Sequence, residues 1–495
     1  MKIFDDLSDA EIHDHSDSVR QSPYWNADIA PVSRSRRTWN TRDMAALWIG
    51  MSAGVPTYML ASSLVALGMD WRQSSLTLIL GSFVVLVPMV LNAHAGTKYG
   101  IPFSVYCRAS FGLKGANVPA LLRALIACGW FGIQTWIGGG AIYKLAALYL
   151  PSITLDPAVF GGLNAAQWLC FLAFWGVNMF VIHKGIESIR LILNVKAPIL
   201  FALGLAILAW AWTQTGSLGA MLSAPSAFAP GRPQEGEFWH FFFPALTATI
   251  GFWATLSLNI PDFSRHAHSQ KSQALGQAIG LPLGMGLLGF IGAATTSATL
   301  VLYGKALWDP VDLLGSFHTP LVHAAALLGL CLATLAVNVA TNVVGPANDF
   351  SHLWPEKIDF RTGGFLTAVV GVLIQPWRLI HDPSGYLFKW LIASSALLGA
   401  IGGVLICDYF FLRGQRLHVR ELYEPYGEYW YSDGVNGRAM AALALGCFPV
   451  LPGFLGAVGL IEVAVFWTSL YRVAWFVSFG VAFVAYLMLM KWGED

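Results

Sequence analysis

The chain has 495 residues, a formal net charge of +1 and a mean hydropathy of +0.58, with 56% hydrophobic and 12% charged residues. Soluble domains carry roughly a quarter charged residues, so this composition excludes an ordinary soluble protein. The near-zero net charge provides no positive field for phosphates and argues against nucleic acid as a partner. Apolar stretches of ~20 residues, the length that crosses a bilayer, recur along the chain. They indicate an all-α integral membrane protein.

In chain order, residues 1–43 are polar and lack the basic end and apolar core of a cleavable signal, so they are predicted to form a cytoplasmic segment. Twelve spans of about 20 residues or more follow. They are expected near residues 44–67, 74–95, 117–149, 165–185, 190–213, 239–260, 273–303, 320–346, 363–380, 386–412, 438–459 and 466–491. Residues 44–412 are then expected to form a ten-helix core, 413–437 a cytoplasmic loop, and 438–495 two additional helices with a short cytoplasmic tail.

Lysine and arginine alternate between abundant and scarce from one connecting loop to the next. They are concentrated around residues 34–42, 98–114, 184–196 and 413–438, and are scarce in the intervening loops, such as 150–162. Because cytoplasmic loops are enriched in these residues, the pattern predicts a multi-pass protein of the cytoplasmic (inner) membrane with both termini inside.

Two spans carry glycine and proline where a continuous helix is expected. The first reads LWIGMSAGVPTYML and contains Gly50, Gly54 and Pro56; the sixth reads LTATIGFWATLSLNIPDF and contains Gly251 and Pro261. Backbone groups freed inside a membrane must face protein, water or a ligand. Both spans are therefore predicted to be discontinuous and to line a substrate site, as broken helices do in transporters.

Uncharged aromatic and amide side chains occupy the predicted membrane interior. Trp130 and Gln134 are four residues apart in span three, Asn338 and Asn342 are four apart in span eight, and Trp253 lies in span six. Each pair falls on one helical face. An indole beside an amide suits a flat ring with an N–H and C=O edge. The alternative is that these side chains make interhelical hydrogen bonds that hold the bundle together.

The predicted membrane interior contains almost no carboxylate, so a strongly charged substrate would lack a counter-charge. Amino acids are disfavoured but not excluded, since helix ends can also bind carboxylates. The cysteines and histidines have no metal-ligand spacing, and no catalytic triad or carboxylate pair can be argued. Neither an enzyme nor a bound cofactor is expected.

Several segments together resemble the nucleobase:cation symporter-1 family of permeases for cytosine, purines, uracil, thiamine, allantoin and hydantoins. They are RTWNTRDMAALWIGM, NAHAGTKYGIPFSVYCRASFGLKGANVPALLRA, GWFGIQTW, NIPDFSR, NVATNVVGPANDF and CDYFFLRGQRLHVRELYEPYGEYWY. The resemblance implies a fold of the leucine-transporter type. Two inverted five-helix repeats, about 44–213 and 239–412, would be followed by two further helices. It also implies that a ring lies between Trp130 and Trp253 and is hydrogen-bonded by Gln134 and Asn342.

The resemblance also bears on the coupling ion. The family's sodium-dependent member binds Na⁺ through backbone carbonyls, whose positions align with Gly50, Ala53 and Ala333, and through two hydroxyls. The hydroxyl positions align with Ala336 and Val337, which have none. Three carbonyls alone would leave Na⁺ with too few ligands. We therefore expect coupling to H⁺ rather than Na⁺.

The leading prediction is a secondary transporter that imports a small neutral planar heterocycle or ureide, such as allantoin, uracil or hydantoin, by alternating access. The alternatives are a Na⁺-coupled carrier of the same substrates, an amino-acid or amine carrier on the same fold, and a membrane enzyme or sensor. The expected partners are the small-molecule substrate and the lipid bilayer. The sequence leaves the oligomeric state open, and a monomer is compatible with it.

Overall fold

The computed structural model describes residues 17–184, 186–315 and 319–492. Residues 1–16 and 493–495, which belong to the predicted cytoplasmic ends, lie outside the described residues. The first half contains nine helices: α1 (Asp17–Arg20), α2 (Thr41–Ser52), α3 (Val55–Ala66), α4 (Trp71–Tyr99), α5 (Phe103–Phe111), α6 (Asn117–Tyr149), α7 (Ala165–Lys184), α8 (Ile186–Thr215) and α9 (Leu218–Met221). An antiparallel hairpin of β1 (Ala158–Phe160) and β2 (Leu163–Asn164) lies between α6 and α7.

The regular secondary-structure elements of the described residues in the second half are all helices. It contains α10 (Phe238–Asn259), α11 (Pro261–Ser264), α12 (Gln270–Tyr303), α13 (Pro310–Gly315), α14 (Pro320–Asn342), α15 (Val344–Leu353), α16 (Phe360–Leu373), α17 (Pro376–Leu379), α18 (Ile392–Ile406), α19 (Gly437–Cys447), α20 (Leu451–Ala457), α21 (Val465–Arg472) and α22 (Ala474–Lys491). The π-helical segments Gly385–Leu391 and Cys407–Leu412 extend α18 at its two ends.

Some of these helices, alone or joined to a neighbour, are long and apolar enough to cross a bilayer. Within the described residues nine pass that test, and the bent pair α2–α3 brings the number to ten. The shorter apolar helices Leu200–Thr215 and Phe360–Leu373 fall where the fifth and ninth spans are predicted. The chain is therefore a multi-pass helical membrane protein, whereas the count of twelve spans stays a prediction.

The first span is broken, as predicted, and α2 and α3 meet at an angle of 57°. Pro56 has no N–H to donate to the Ser52 carbonyl four residues earlier. The Gly54 N–H bonds to that carbonyl instead, at 2.9 Å. In a continuous helix the Gly54 N–H would donate to the Gly50 carbonyl. Since it bonds to Ser52 instead, the Gly50 carbonyl loses its helical hydrogen bond at the break.

The prediction of a break at Gly251 in the sixth span is wrong. Helix α10 runs without interruption from Phe238 to Asn259, and the chain turns only before Pro261, where α11 begins. Gly251 serves close packing instead, because a Cβ there would lie 2.3 Å from the Leu391 carbonyl oxygen. A glycine alone removes no hydrogen bond from a helix, so without a nearby proline the helix continues.

A break that was not predicted separates α14 from α15 at Val343. Pro346 follows four residues after Asn342 and cannot donate to the Asn342 carbonyl. The helix resumes with Ala347, whose N–H bonds to the Val343 carbonyl at 2.9 Å. Asn342 therefore stands at the last position of α14.

Both arms of the broken first span pack on one row of glycines along α12. A Cβ at Gly280 would lie 2.5 Å from the Ala45 carbonyl oxygen on α2, and one at Gly292 would lie 2.5 Å from the Tyr58 carbonyl oxygen on α3. Such small residues let membrane helices approach at backbone distance. The glycine row thus places the break against α12 on one side, and the candidate site lies on the other.

Candidate substrate-binding site

A central cavity lies where the α2–α3 break faces α6, α10 and α14. Its walls combine aromatic, hydroxyl and amide side chains. They are Met51, Gly54, Pro56, Thr57, Trp130, Gln134, Phe252, Trp253, Thr255, Leu256, Val337, Thr341 and Asn342. The structure therefore brings together Trp130, Gln134, Trp253 and Asn342, which come from three different helices.

The cavity is narrow. The space open to the centre of a water molecule is about 40 Å³. Since roughly 10–15 Å³ of such space holds one water, there is room for about three water molecules. A volume of this order suits a small molecule of about the size of a single ring.

The two tryptophans are held edge-on by a phenylalanine between them. Phe252 lies 5.2 Å from Trp130 and 5.1 Å from Trp253, measured between ring centroids, in T-shaped contacts. Both indoles are buried, and neither indole nitrogen has a hydrogen-bond acceptor among the described residues. A buried donor without a partner costs about 1–3 kcal/mol. Both donors belong to side chains that line one cavity, which makes a ligand in that cavity a candidate acceptor.

Gln134 lies one turn beyond Trp130 on α6 and lines the same cavity. Its Oε1 is buried and receives no hydrogen bond from the described residues. It is thus an acceptor without a donor, which complements the two indole donors.

The two asparagines of α14 have different surroundings. Asn342 lines the cavity, and its Nδ2 donates to Asn338 Oδ1 at 3.0 Å. This bond uses the side-chain nitrogen of Asn342. Its side-chain oxygen, Oδ1, is then the atom that could accept a hydrogen bond from a ligand. Asn338 is fully buried outside the cavity wall, where its Nδ2 donates to the Phe131 carbonyl (3.2 Å), Thr135 Oγ1 (3.1 Å) and Asn178 Oδ1 (3.2 Å).

Of the six predicted substrate residues, Asn338 and Gly251 therefore do not line the cavity. Asn338 holds Asn342 in place and ties α14 to α6 and α7, and Gly251 packs against Leu391. Sequence reasoning placed them in the site because they share a helix with true wall residues.

Other wall residues were missed, among them Phe252, Thr255 and Thr341. Phe252 and Thr255 are three residues apart on α10, a spacing that places them on one face beside Trp253. That spacing was a usable signal. Thr341 donates to the Val337 carbonyl at 2.8 Å, as hydroxyls within helices commonly do. A threonine in this helix therefore gave no signal that it lines a cavity.

The candidate cation positions lie next to this cavity. Ala53 is the residue at which α2 ends, and a Cβ on Gly54 would lie 3.6 Å from Val337 Cγ1. Ala333 and Ala336 are buried on α14, and Gly50 contributes the carbonyl released at the break. Val337 lines the cavity, and none of the five positions carries a side-chain hydroxyl.

A wider cavity of about 660 Å³ lies near the end of α6 that carries Tyr149. Trp136 and Ile137 line it within one turn of Gln134, and Asp309 and Lys144 supply charge. Burial, followed by repulsion from Asp312, raises the pKa of Asp309 to about 7. This cavity approaches the central one along α6.

Three comparisons with known proteins agree. Residues 31–478 match the family model for permeases for cytosine/purines, uracil, thiamine and allantoin. The chain is 43% identical to the purine-uracil permease NCS1 of Arabidopsis thaliana, over 98% of this chain and 81% of that protein. It is 38% identical to the allantoin permease of Bacillus subtilis (strain 168), over 94% of this chain and 93% of that protein.

The fold is similar to that of Mhp1, a nucleobase-cation-symport-1 family transporter, solved in a closed conformation with bromovinylhydantoin bound. The TM-score is 0.75 at 24% identity, covering 95% of this chain and 96% of Mhp1. The predicted family is thus confirmed. The chain belongs to the family of permeases for cytosine/purines, uracil, thiamine and allantoin, and it is a membrane transporter.

Proposed function

We propose that this permease imports a small, neutral, planar nitrogen heterocycle or ureide across the cytoplasmic membrane by alternating access, in symport with H⁺. The observation that carries the proposal is the set of unpartnered polar groups around one narrow cavity. Trp130 Nε1 and Trp253 Nε1 need acceptors, and Gln134 Oε1 needs a donor. A lactam or ureide offers both, because each N–C=O unit carries a donor next to an acceptor.

The cavity size supports a single ring. Space for about three water molecules suits uracil, hydantoin or allantoin better than a nucleoside, whose sugar would need further room. The permeases named above, for purines and uracil and for allantoin, carry compounds of this chemical kind.

The proposed topology follows the predicted one. Twelve helices would form two inverted repeats of five, about residues 44–213 and 239–412, and two additional helices, with both termini in the cytoplasm. The α2–α3 break supports the first repeat, since broken helices line substrate sites in transporters built from such repeats.

The proposal of H⁺ as the coupling ion rests on the residues Ala336 and Val337. Na⁺ takes oxygen ligands, and neither side chain supplies one. The released carbonyl of Gly50 favours a Na⁺-coupled carrier as the second candidate, because a carbonyl freed at a helix break is a cation ligand in transporters.

Uptake assays test both the proposed substrate class and the proposed coupling ion. Radiolabelled uracil and allantoin would be offered to cells that lack their own permeases, with unlabelled hydantoins, cytosine, purines and amino acids as competitors. We expect saturable uptake that planar neutral rings inhibit and amino acids do not. Uptake that rises with external acidity at fixed Na⁺ supports H⁺ coupling, whereas stimulation by Na⁺ at fixed pH contradicts it. No uptake of any ring would refute the proposed function.

A further inference from the structure

A buried ion pair joins two helices beyond the central cavity, toward the Asn117 end of α6. Arg123 Nη1 on α6 donates to Asp349 Oδ2 on α15 at 2.5 Å, and each side chain is only 1% exposed. The charged hydrogen bond favours the ionised form of both side chains. Asp349 and Arg123 therefore neutralise each other.

The arginine also contacts α10 through Asn259. With its amide oxygen toward Arg123, Asn259 accepts from Nη2 at 2.7 Å and donates to the Thr255 carbonyl at 2.8 Å. The guanidinium lies directly against α15 as well, because a Cβ on Gly345 would be 2.0 Å from Nη2. One arginine thus bridges α6, α10 and α15.

A second carboxylate, Asp262, lies in the same cluster without a cation of its own. Its Oδ1 accepts from the Phe103 N–H at 2.8 Å. Its Oδ2 lies 3.3 Å from the end of the Asn259 amide that faces Arg123, and it accepts a hydrogen bond there only when the amide nitrogen, and not the oxygen, is turned toward Arg123. Among the described residues, no lysine, arginine or histidine is within ion-pair distance of Asp262, which is 7% exposed. Two buried carboxylates therefore face one buried guanidinium.

A proton on Asp262 removes this imbalance. The amide oxygen that accepts from Arg123 and the Asp262 oxygen are both acceptors, so they repel unless a hydrogen lies between them. Protonated Asp262 can donate through Oδ2 to Asn259. Burial raises the pKa of Asp262, while the charges of Arg123 and Arg265 oppose the rise.

We propose that Asp262 binds the coupling proton while this end of the transport core is closed and releases it to cytoplasmic water when α10 and α11 separate from α6 and α15. This inference rests on the proposed H⁺-coupled import. On release the Oδ2–H bond breaks, water takes the proton, and the carboxylate is hydrated. An ionised Asp262 would be costly to keep buried. Deprotonation of Asp262 is therefore linked to the opening that hydrates it.

A line of polar side chains leads from the substrate cavity toward Asp262. Thr255 lines that cavity, Asn259 follows it by four residues and Asp262 by seven, a spacing that keeps all three on one side of α10 and α11. A proton arriving in the open cavity therefore has a polar route to Asp262, and the same residue faces the cytoplasm after the change of conformation.

The other titratable or charged groups around Asp262 are accounted for. They are Arg123 on α6, Asp349 on α15, Cys107 and Arg108 on α5, His94 and Lys98 on α4, and Arg265 on its own turn. Arg108 is bonded to His352 Nε2 at 2.9 Å and to the Leu422 carbonyl at 2.9 Å. His94 is bonded to Tyr409, and Lys98 to the Gln415 carbonyl. These partners leave Asp262 as the group whose charge is least compensated.

The test separates coupling from transport. The full-length protein, reconstituted in liposomes, would be assayed with radiolabelled uracil for accumulation driven by a pH gradient and for exchange without a gradient. We expect Asp262→Asn to lose gradient-driven accumulation while it retains exchange, because exchange moves no net proton. Asp433→Asn, which removes an 86% exposed acid bound to Lys114, is the control and should retain both.

Each result supports or overturns the inference. Gradient-driven accumulation by Asp262→Asn equal to that of the unmodified protein overturns it. If Asp262→Asn is inactive in both assays, Asp262→Glu decides: recovery of accumulation with a shifted pH dependence supports the inference, and inactivity overturns it. If the unmodified protein transports uracil but responds only to Na⁺, the inference fails while the substrate assignment stands. If it transports no ring at all, the proposed function itself has failed.

Discussion

Trp130 and Trp253 line the cavity and their indole nitrogens have no acceptor among the described residues, so we expect them to contribute to binding as hydrogen-bond donors. We expect Trp130→Phe and Trp253→Phe each to weaken binding by about 0.5–1.5 kcal/mol, roughly a two- to tenfold rise in KM, with the aromatic surface kept. Uptake kinetics at matched expression measure this change.

Trp390→Phe is the matched control for the two tryptophan variants. Trp390 packs edge-on against Trp130 at 6.0 Å and also has an unpartnered indole nitrogen, yet it does not line the cavity. Its replacement should leave KM unchanged. An equal rise in KM in all three variants would mean that packing, and not donation to the substrate, causes the effect.

Asn342 and Asn338 should separate binding from stability. Asn342→Ala removes a cavity acceptor, and we expect a higher KM with little change in melting temperature. Asn338→Ala strips buried bonds from the Phe131 carbonyl, Thr135 and Asn178, so it should cost about 1–3 kcal/mol of stability in addition to binding. Thermal unfolding and uptake together measure the split. Unchanged binding in Asn342→Ala would argue against its place in the site.

At the scale of helices, neither proline nor glycine alone predicts a break, since Pro88, Pro244 and Pro282 lie inside continuous helices. The break at Gly54 was predicted from Gly50, Gly54 and Pro56 together, whereas the break at Val343, which precedes Pro346, was not predicted. Gly251 misled because the glycine serves a contact with another helix. Such contacts depend on how distant segments meet, and a single sequence does not contain that information.

Gly251→Ala tests the close contact of α10. The added methyl would meet the Leu391 carbonyl oxygen at 2.3 Å and Ser395 Cβ at 2.9 Å. Overpacking of this kind costs about 1–3 kcal/mol, so the melting temperature should fall. Gly480→Ala on α22 has no atom within 4 Å of the added carbon and should be neutral or slightly stabilising. Equal melting temperatures for both variants would show that α10 can shift freely.

For the whole molecule, the apolar segments were predictable because bilayer crossing imposes a length and a composition on each one. Helix α6 has the predicted bounds, Asn117–Tyr149. The bonds of Asn338 to α6 and α7 were not predictable, since they require three helices to be placed together. Trp130 and Asn342 were singled out by side-chain type and helical spacing, and the family resemblance then assigned them to one ring-binding site.

Asp309 should make stability depend on pH. Its pKa is about 7 in the folded protein and 3.8 ordinarily, so the fold binds the proton more tightly than the unfolded chain does. Stability from this group is present at low pH and is lost as the pH rises from about 4 to about 7. Asp309→Asn cannot ionise, so it should not show this loss of folding stability as the pH rises.

The measurement is the difference in melting temperature between Asp309→Asn and the unmodified protein. It should grow in favour of the variant as the pH is raised from 5 to about 7 and then level off. His266 has a pKa lowered to about 4 by burial and acts in the opposite direction, but it is common to both proteins and cancels. A difference that does not vary with pH would contradict the assignment.

The glycine row on α12 predicts that α12 and both arms of the first span move as one rigid unit. With Gly280 against Ala45 and Gly292 against Tyr58, no side chain separates α12 from either arm of the first span. Spin labels on the first turns of α2 and α12 should therefore report one constant separation throughout the transport cycle. Labels between α2 and α6 should report two separations, whose proportions change when substrate is added.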